Sequence, residues 1–349
     1  MYQNGAFLNS FERPWSSPII LFASCSKIRP DDVLIEGRIT IRCVYLMHPG
    51  DQRHWSNDSD PSVQPATESA LASWTARLSL DFNLDPHQLD PQQPSLKTRL
   101  NHQHLGPLRI QKALYPEGAS PCHAIIVHPP GGIAGGDRLE VLINSQPGSH
   151  GLVTTPSAAK WYGANASLEA SQLIDINLQG AFEWLPQETI VFNRARVRSE
   201  LDVRVGEYGA MLGWDHLIFG RHASGESFAE GHFRQSLKIQ IDKQLIWHDR
   251  LALVGDDALF ASPIGLRGHY TCATLWAILP AAQTFSEATV QTLREHSAQF
   301  AWTTLHPRLL VGRVLAEPRE LKFLLQDAWA HLRPVVLGLP AVAPRLWAT

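Results

Sequence analysis

Cysteine is scarce in this chain, with four residues in 349, and no two of Cys25, Cys43, Cys122 and Cys272 form a C-x-x-C pair. That spacing argues against a zinc knuckle and against a disulfide framework, and it fits a reducing compartment. Charged residues are also few, at 18% where an average soluble protein has roughly 25%. The 30 Lys and Arg face 33 Asp and Glu, a formal charge of -3, so there is no single-signed field to attract nucleic acid or an anionic membrane. No apolar run approaches the roughly 18 residues of a membrane helix. The run from Pro18 to Ala23 is followed by Asp31 and Asp32 instead of a small-residue cleavage site, which makes it a poor signal peptide. The chain is therefore expected to be cytoplasmic, with neither nucleic acid nor membrane as a partner.

Several catalytic and metal-binding signatures are missing as well. There is no G-x-S-x-G nucleophile elbow, no H-E-x-x-H pair and no His-rich tail. The glycine cluster at Gly131, Gly132, Gly135 and Gly136 is not followed by G-K-[ST], so it does not read as a phosphate loop. What the chain does have is 44% hydrophobic residues and 11 tryptophans, enough to fill a large core. A surface this poor in charge fits one partly covered by other proteins.

Residues 1–70 read differently from the rest. They contain HPGDQRHWSNDSDPSVQPATES from His48, a composition typical of linkers or disorder, and Met47 sits just before it. The expected organisation is an atypical extension over 1–70, with the true start at Met47 or a nearby codon, and one β-rich domain over 71–349.

From Trp74 onward a two-residue period recurs. Trp74, Ala76, Leu78, Leu80 and Phe82 alternate with polar residues, as do Val197, Leu201, Val203 and Val205, and Phe233, Leu237, Ile239 and Ile241. This is the pattern of strands with one wet face. Further strands are expected near 122–128, 139–145, 150–155, 166–178, 189–193, 210–219, 245–254 and 270–279. Helical spacing appears only late, over about 284–300 and 318–332, the second carrying Leu321, Leu324, Leu325, Ala328, Trp329 and Leu332 between Pro318 and Pro334. The fold class is mainly β, and the late helices disfavour a βαβ nucleotide-binding domain.

The most informative stretch is HPPGGIAGGDRLEVLINSQPGSHGLVTTPSAAKWYGA, His128 to Ala164. With GPLRIQKALYPEG from Gly106, EWLPQETIVFNRA from Glu183, GWDHLIFGRHASGESFAEGHFR from Gly213 and PRLWAT from Pro344, it resembles the urease accessory protein family UreD, called UreH in some systems. The resemblance spans about 72–349. It implies an irregular β-helical stack of strands with two C-terminal α-helices and no catalysis of its own. It further implies binding to the urease apoprotein, to UreF and, through UreF, to the GTPase UreG, no tightly bound cofactor, and nickel in transit along an internal route.

Nickel accepts imidazole nitrogen and carboxylate oxygen, and a conducting path wants several weak ligands in place of a closed cage. Asp137, Asp215 and Asp249 are the candidate nickel-route residues, each with a competing structural role as acceptor of backbone N–H bonds or partner of a nearby Arg. His102 and His104 share one side of a strand but lack the rest of a ligand set. Gly131, Gly132, Gly135 and Gly136 are expected to shape a tight connection. Thr154, Thr155 and Lys160 read as strand residues, and Trp184 and Trp214 as core or interface anchors. Leu321, Leu325 and Trp329 are candidates for partner binding, against internal packing. Two other readings stay open: a stand-alone β-rich hydrolase, and a structural adaptor that conducts no nickel.

Overall fold

Strand-forming alternation governs most of the chain, and the computed structural model describes residues 73–90, 93–163 and 168–348. The expectations for residues 1–70 and for Met47 lie outside the described residues. The strands are β1 (Thr75–Asp90), β2 (Gln93–Leu105), β3 (Arg109–Ile110), β4 (Cys122–Val127), β5 (Arg138–Ser145), β6 (His150–Thr154), β7 (Ala159–Trp161), β8 (Ala170–Leu178) and β9 (Ala181–Leu185). They continue with β10 (Thr189–Val191), β11 (Arg196–Val205), β12 (Ala210–Phe219), β13 (His232–Ile241), β14 (Gln244–Val254) and β15 (Thr271–Ile278). Helix α1 (Glu287–His296), β16 (Ala301–His306), β17 (Leu309–Val314) and helix α2 (Pro318–Leu337) complete the order.

Two sheets result. The first runs β14-β13-β11-β8-β5-β1-β2, and the second runs β16-β17-β15-β12-β9-β6-β4-β3, with β10 and β7 beside β12. From β4 to β13 the long strands switch sheet at each step, so that β5, β8, β11 and β13 stack in parallel, as do β4, β6, β9 and β12. This is the expected β-helical stack. Antiparallel hairpins close its ends, β1 with β2 and β13 with β14 in one sheet, and β15, β17 and β16 in the other.

The inward faces bury Leu80, Phe82, Ile143, Ile176 and Val203 of the first sheet against Phe182, Met211, Phe219 and Trp276 of the second. Each such side chain contributes about 1.5–3 kcal/mol when fully buried. The outward face of the first sheet is polar and in register. Asn144 donates to Asp81, Asn177 to Asn144, and Arg204 to Asn177, a hydrogen-bonded rung across four neighbouring strands. Those bonds explain why its strands alternate so cleanly in sequence.

The far face of the second sheet is covered by the helices. Leu212, Trp214 and Leu275 of the sheet pack with Val290 and Leu293 of α1 and with Leu321, Leu325 and Trp329 of α2. Helix α1 is shorter than the expected 284–300. Ser286 caps it by accepting from the Thr289 N–H, and Phe285 and Phe300 lie outside it. Helix α2 is longer than expected, because Pro334 does not end it. The missing N–H of Pro334 falls in the last turns, and the helix continues to Gly338, whose left-handed φ of 67° provides the stop.

A buried charge cluster joins α2 to the sheet. Arg333 is 0% exposed; its Nη1 and Nη2 donate to Glu117 at 2.7 and 2.9 Å, its Nη2 to Glu183 at 3.0 Å, and its Nη1 to the Pro340 carbonyl at 2.6 Å. Glu183 also lies 3.0 Å from His150 Nε2 and accepts from Trp329 Nε1 at 2.8 Å, while His123 Nε2 lies 2.8 Å from Glu117. Burial works to raise the Glu183 carboxyl, but His150 and Arg333 outweigh it and hold the group below its ordinary value. Removing one member of such a set leaves an unpaired buried charge, which costs about 3–5 kcal/mol. Arg333→Met should lower the unfolding free energy read from guanidinium titration by that amount, and adding Glu183→Gln should recover part of it. A single variant as stable as wild type would show that the cluster does not anchor α2.

Candidate functional site

The inward faces of the strands are mostly apolar, and their acidic residues gather at one end. In β12 the phase that carries Met211, Leu217 and Phe219 into the inter-sheet core also carries Asp215. In β13 and β14 the same phase places Gln235 opposite Leu251 and Asp249 opposite Leu237. Across the second sheet, Asp215 pairs in register with Thr274 of β15, and Thr274 with Arg313 of β17, while Cys272 sits opposite Leu217. These residues face a cavity of about 590 Å³ at the edge where β14 and β16 end their respective sheets. The loop from Ile264 to His269 completes its wall, and Arg250 and Arg267 stand exposed on it.

The charges in this cavity are unevenly satisfied. Asp249 forms an ion pair with Arg313, whose guanidinium also lies 6.0 Å from the Trp247 ring centroid. Asp215 accepts only an amide hydrogen bond, from Gln235 at 3.0 Å. Burial first, and the Asp249 charge second, push the Asp215 carboxyl up to about 7, against the pull of Gln235. Burial also pushes the Cys272 thiol up to about 12, with both aspartates adding to the rise. Among the described residues, no group of three or more His, Cys, Asp or Glu side chains is placed to hold a metal ion.

Asp137, the third acidic candidate, is elsewhere. Its two oxygens accept from the N–H groups of Trp74 at 2.7 Å and Ala134 at 2.8 Å, which pins the glycine segment to the start of β1. Within that segment Gly131 and Gly136 have φ of 77° and 93°, and a Cβ on Gly132 would fall 2.0 Å from the Tyr162 ring. Gly135 lies in the same connection. His102 and His104 are exposed on β2, an edge strand. Lys160 is half-buried on β7. Thr155 accepts from the Gln187 N–H at 3.0 Å.

The aromatic candidates are internal. Trp184 is buried between the sheets. Trp214 donates to the Pro186 carbonyl, and its ring lies 5.4 Å from that of Trp347, which donates in turn to Thr154. Leu321, Leu325 and Trp329 are at most 2% exposed, so the face of α2 open to solvent is the opposite one, with Phe323 at 66% and Val335 at 42%. A third buried histidine besides His123 and His150, His216, lies behind the cavity strand; burial first and Lys322 second push it down to about 4.

The hydrolase reading meets one Ser–His contact, Ser236 Oγ to His248 Nε2 at 3.0 Å. It lies on the first sheet's outward face, and among the described residues no carboxylate is bonded to the other ring nitrogen of His248.

An unfolded Asp215 releases its proton near 3.8, the folded one near 7. Between these values the folded chain binds more protons than the unfolded one, so stability falls as pH rises and levels off above about 7. Asp215→Asn should therefore be more stable than wild type at pH 8, by on the order of 1 kcal/mol after allowance for solvent in the cavity. The difference should vanish near pH 4. Urea titrations at the two pH values check this, and a constant difference would remove Asp215 as the titrating group.

The model of the UreD urease accessory protein family matches residues 75–348. The urease accessory protein UreD of Janthinobacterium sp. (strain Marseille) is 39% identical over 304 residues, 84% of this chain and 99% of that protein. The UreD of Dechloromonas aromatica is 42% identical over 71% of this chain and 88% of its own length. That of Pseudomonas savastanoi pv. phaseolicola is 41% identical over 79% and 96%. With the match running from the first described strand through the C-terminal Trp347, the chain belongs to the UreD urease accessory protein family.

Proposed function

We propose that this chain matures urease as a non-enzymatic scaffold, holding the urease apoprotein and UreF, and UreG through UreF, while nickel passes through the cavity that Asp215 and Asp249 share. The observation that carries the nickel part is the group of polar side chains, two carboxylates among them, that faces one cavity from the inward phase of both sheets. Inward-facing Asp215, Gln235, Asp249, Thr274 and Arg313 interrupt a layer of Leu, Ile, Val, Phe and Trp, and buried polar groups placed at core positions cost stability without a compensating use. Asp215, Asp249 and the Cys272 thiol offer separate donors in place of a closed ligand set, which suits an ion that must leave again. Asp137 has both oxygens engaged by backbone and is the weakest of the three as a route residue. No cofactor is bound tightly in this reading, and nickel is cargo.

The scaffold part is supported by the stiffness of the stack and by the solvent-facing side of α2. Phe323 and Val335 give UreF an apolar contact there, while Leu321, Leu325 and Trp329 hold the helix in place. A docking test should therefore alter the outer face and leave the helix whole. Phe323→Glu should abolish UreF co-purification with an unchanged melting temperature. Retained UreF would place the contact elsewhere.

Co-expression of the urease subunits with UreF, UreG and this chain separates the readings. Omitting the chain should abolish nickel-dependent activity. Asp215→Ala and Asp249→Ala should keep the partners bound while lowering the nickel content and activity of urease by about tenfold or more, the loss usual for groups that support a metal site. Activation equal to wild type in both variants would leave the adaptor without a nickel route.

A further inference from the structure

In β17, Leu309, Val311 and Arg313 share one phase, and Leu309 and Val311 are buried in the inter-sheet core. A guanidinium thus stands where alternation asks for a hydrophobe. Its partner Asp249 comes from the other sheet, so the ion pair spans the cavity between two edge hairpins. Of the two carboxylates facing that space, Asp249 is matched by a fixed positive charge and Asp215 only by a neutral amide. Arg250, Arg267 and Arg313 all line the cavity and all reach solvent, but among the described residues Arg313 is the one of the three in contact with a cavity carboxylate. Arg313 is the cation built into the core phase.

We propose that Arg313 is the resident counter-ion of this cavity: it occupies Asp249 while no divalent cation is present, yields that carboxylate as a cation passes, and so keeps the cavity from becoming a trap. The proposal rests on the reading of the cavity as a nickel route. Without Arg313, two carboxylates beside a thiol would face the same space with no cation in contact with either, leaving only the more distant Arg250 and Arg267, and an entering divalent cation would supply the missing contact charge. With it, the cation must first separate a contact ion pair, which lowers its affinity. Arginine suits the task because its guanidinium carries no lone pair to ligate a metal, stays charged at all working pH values, and is weakly hydrated. Tethered to β17, it returns to Asp249 once the ion has moved on.

Equilibrium dialysis of the full chain against nickel chloride tests this with wild type, Arg313→Gln, Asp249→Asn and the double variant. Arg313→Gln should bind Ni2+ about tenfold to a hundredfold more tightly, the size of effect an opposite charge at contact has on proton binding. The double variant should lose that gain, which assigns it to Asp249 and not to a histidine elsewhere. In co-expression, Arg313→Gln should retain nickel while urease activity falls. Should Arg313→Gln fail to fold, Arg313→Lys carries the test, with a smaller gain in the same direction. Unchanged or weaker nickel binding in the folded Arg313 variants overturns the proposal, as does a gain that survives in the double variant. Failure of the route itself reads differently, as full urease activation by Asp215→Ala and Asp249→Ala, and the proposal then falls with it.

Discussion

Arg333 imposes the condition that the rest of the second sheet has to meet. A guanidinium with no access to water must find acceptors for nearly all of its five N–H groups, or its burial costs more than the packing around it returns. Here the acceptors come from the loop before β4, from β9 and from the C-terminal tail, while His123 on β4 and His150 on β6 complete the two glutamates. Three consecutive parallel strands, β4, β6 and β9, are thereby fixed at one level against one turn of α2. Neither sheet register nor helix position can shift by a residue without stranding a charge. Trp329 donates to the same Glu183, and Trp347 packs against Trp329 at 5.3 Å, so the tail is sealed onto the same point.

That constraint explains what could and could not be read in the sequence. Strands of the first sheet were legible because their outward faces form the Asp81, Asn144, Asn177 and Arg204 rung, which writes a strict alternation. The boundaries of β11, β12 and β13 agree with expectation to within a residue or two. In the second sheet β4, β6, β12 and β15 were also expected, but β9 was not. β9 reads AFEWL, with Phe182 in one core and Leu185 in the other, and its Glu183 carries charge into a buried site. β17 was missed for the same reason, while β16 is a mostly exposed edge strand with only Trp302 buried, and both follow a helical segment. Pro334 misled in the opposite sense: it marks a helix end by local rules, yet the Arg333 anchor on one side and the Gly338 stop on the other leave it inside the last turns.

The candidate site was half legible. Asp215 in GWDHLIFGR and Asp249 in HDR are route candidates from the sequence, and both face the cavity. Asp137, closing the glycine segment, ranks ahead of both in the sequence, but its carboxylate serves a loop. Nothing local separates these cases, since an acid that caps backbone N–H groups and an acid that lines a space look alike until the chain is folded. The other members, Gln235, Cys272, Thr274 and Arg313, come from three strands and two sheets, and only cross-strand register brings them together. Arg313 had a usable signal, a charge in phase with Leu309 and Val311, but it requires that LLVGRV first be recognised as a strand.

The position of the cavity follows from the topology. A stack in which the chain changes sheet at every step keeps its inner faces in continuous contact, and the apolar core has no gap while that alternation lasts. It stops at β13. After β13 the chain forms a hairpin into β14 in one sheet, and the other sheet is extended separately by β15, β17 and β16, so two edges now face each other without a strand to join them. A space that opens at such an end is either filled with large hydrophobes or lined with groups that tolerate water. This chain lines it with two carboxylates, an amide, a threonine hydroxyl and a guanidinium, on walls that the rest of the stack holds rigid. In the proposed route, donors carried on separate strands would meet a passing ion at several points in turn, without the closure around it that would make its release slow.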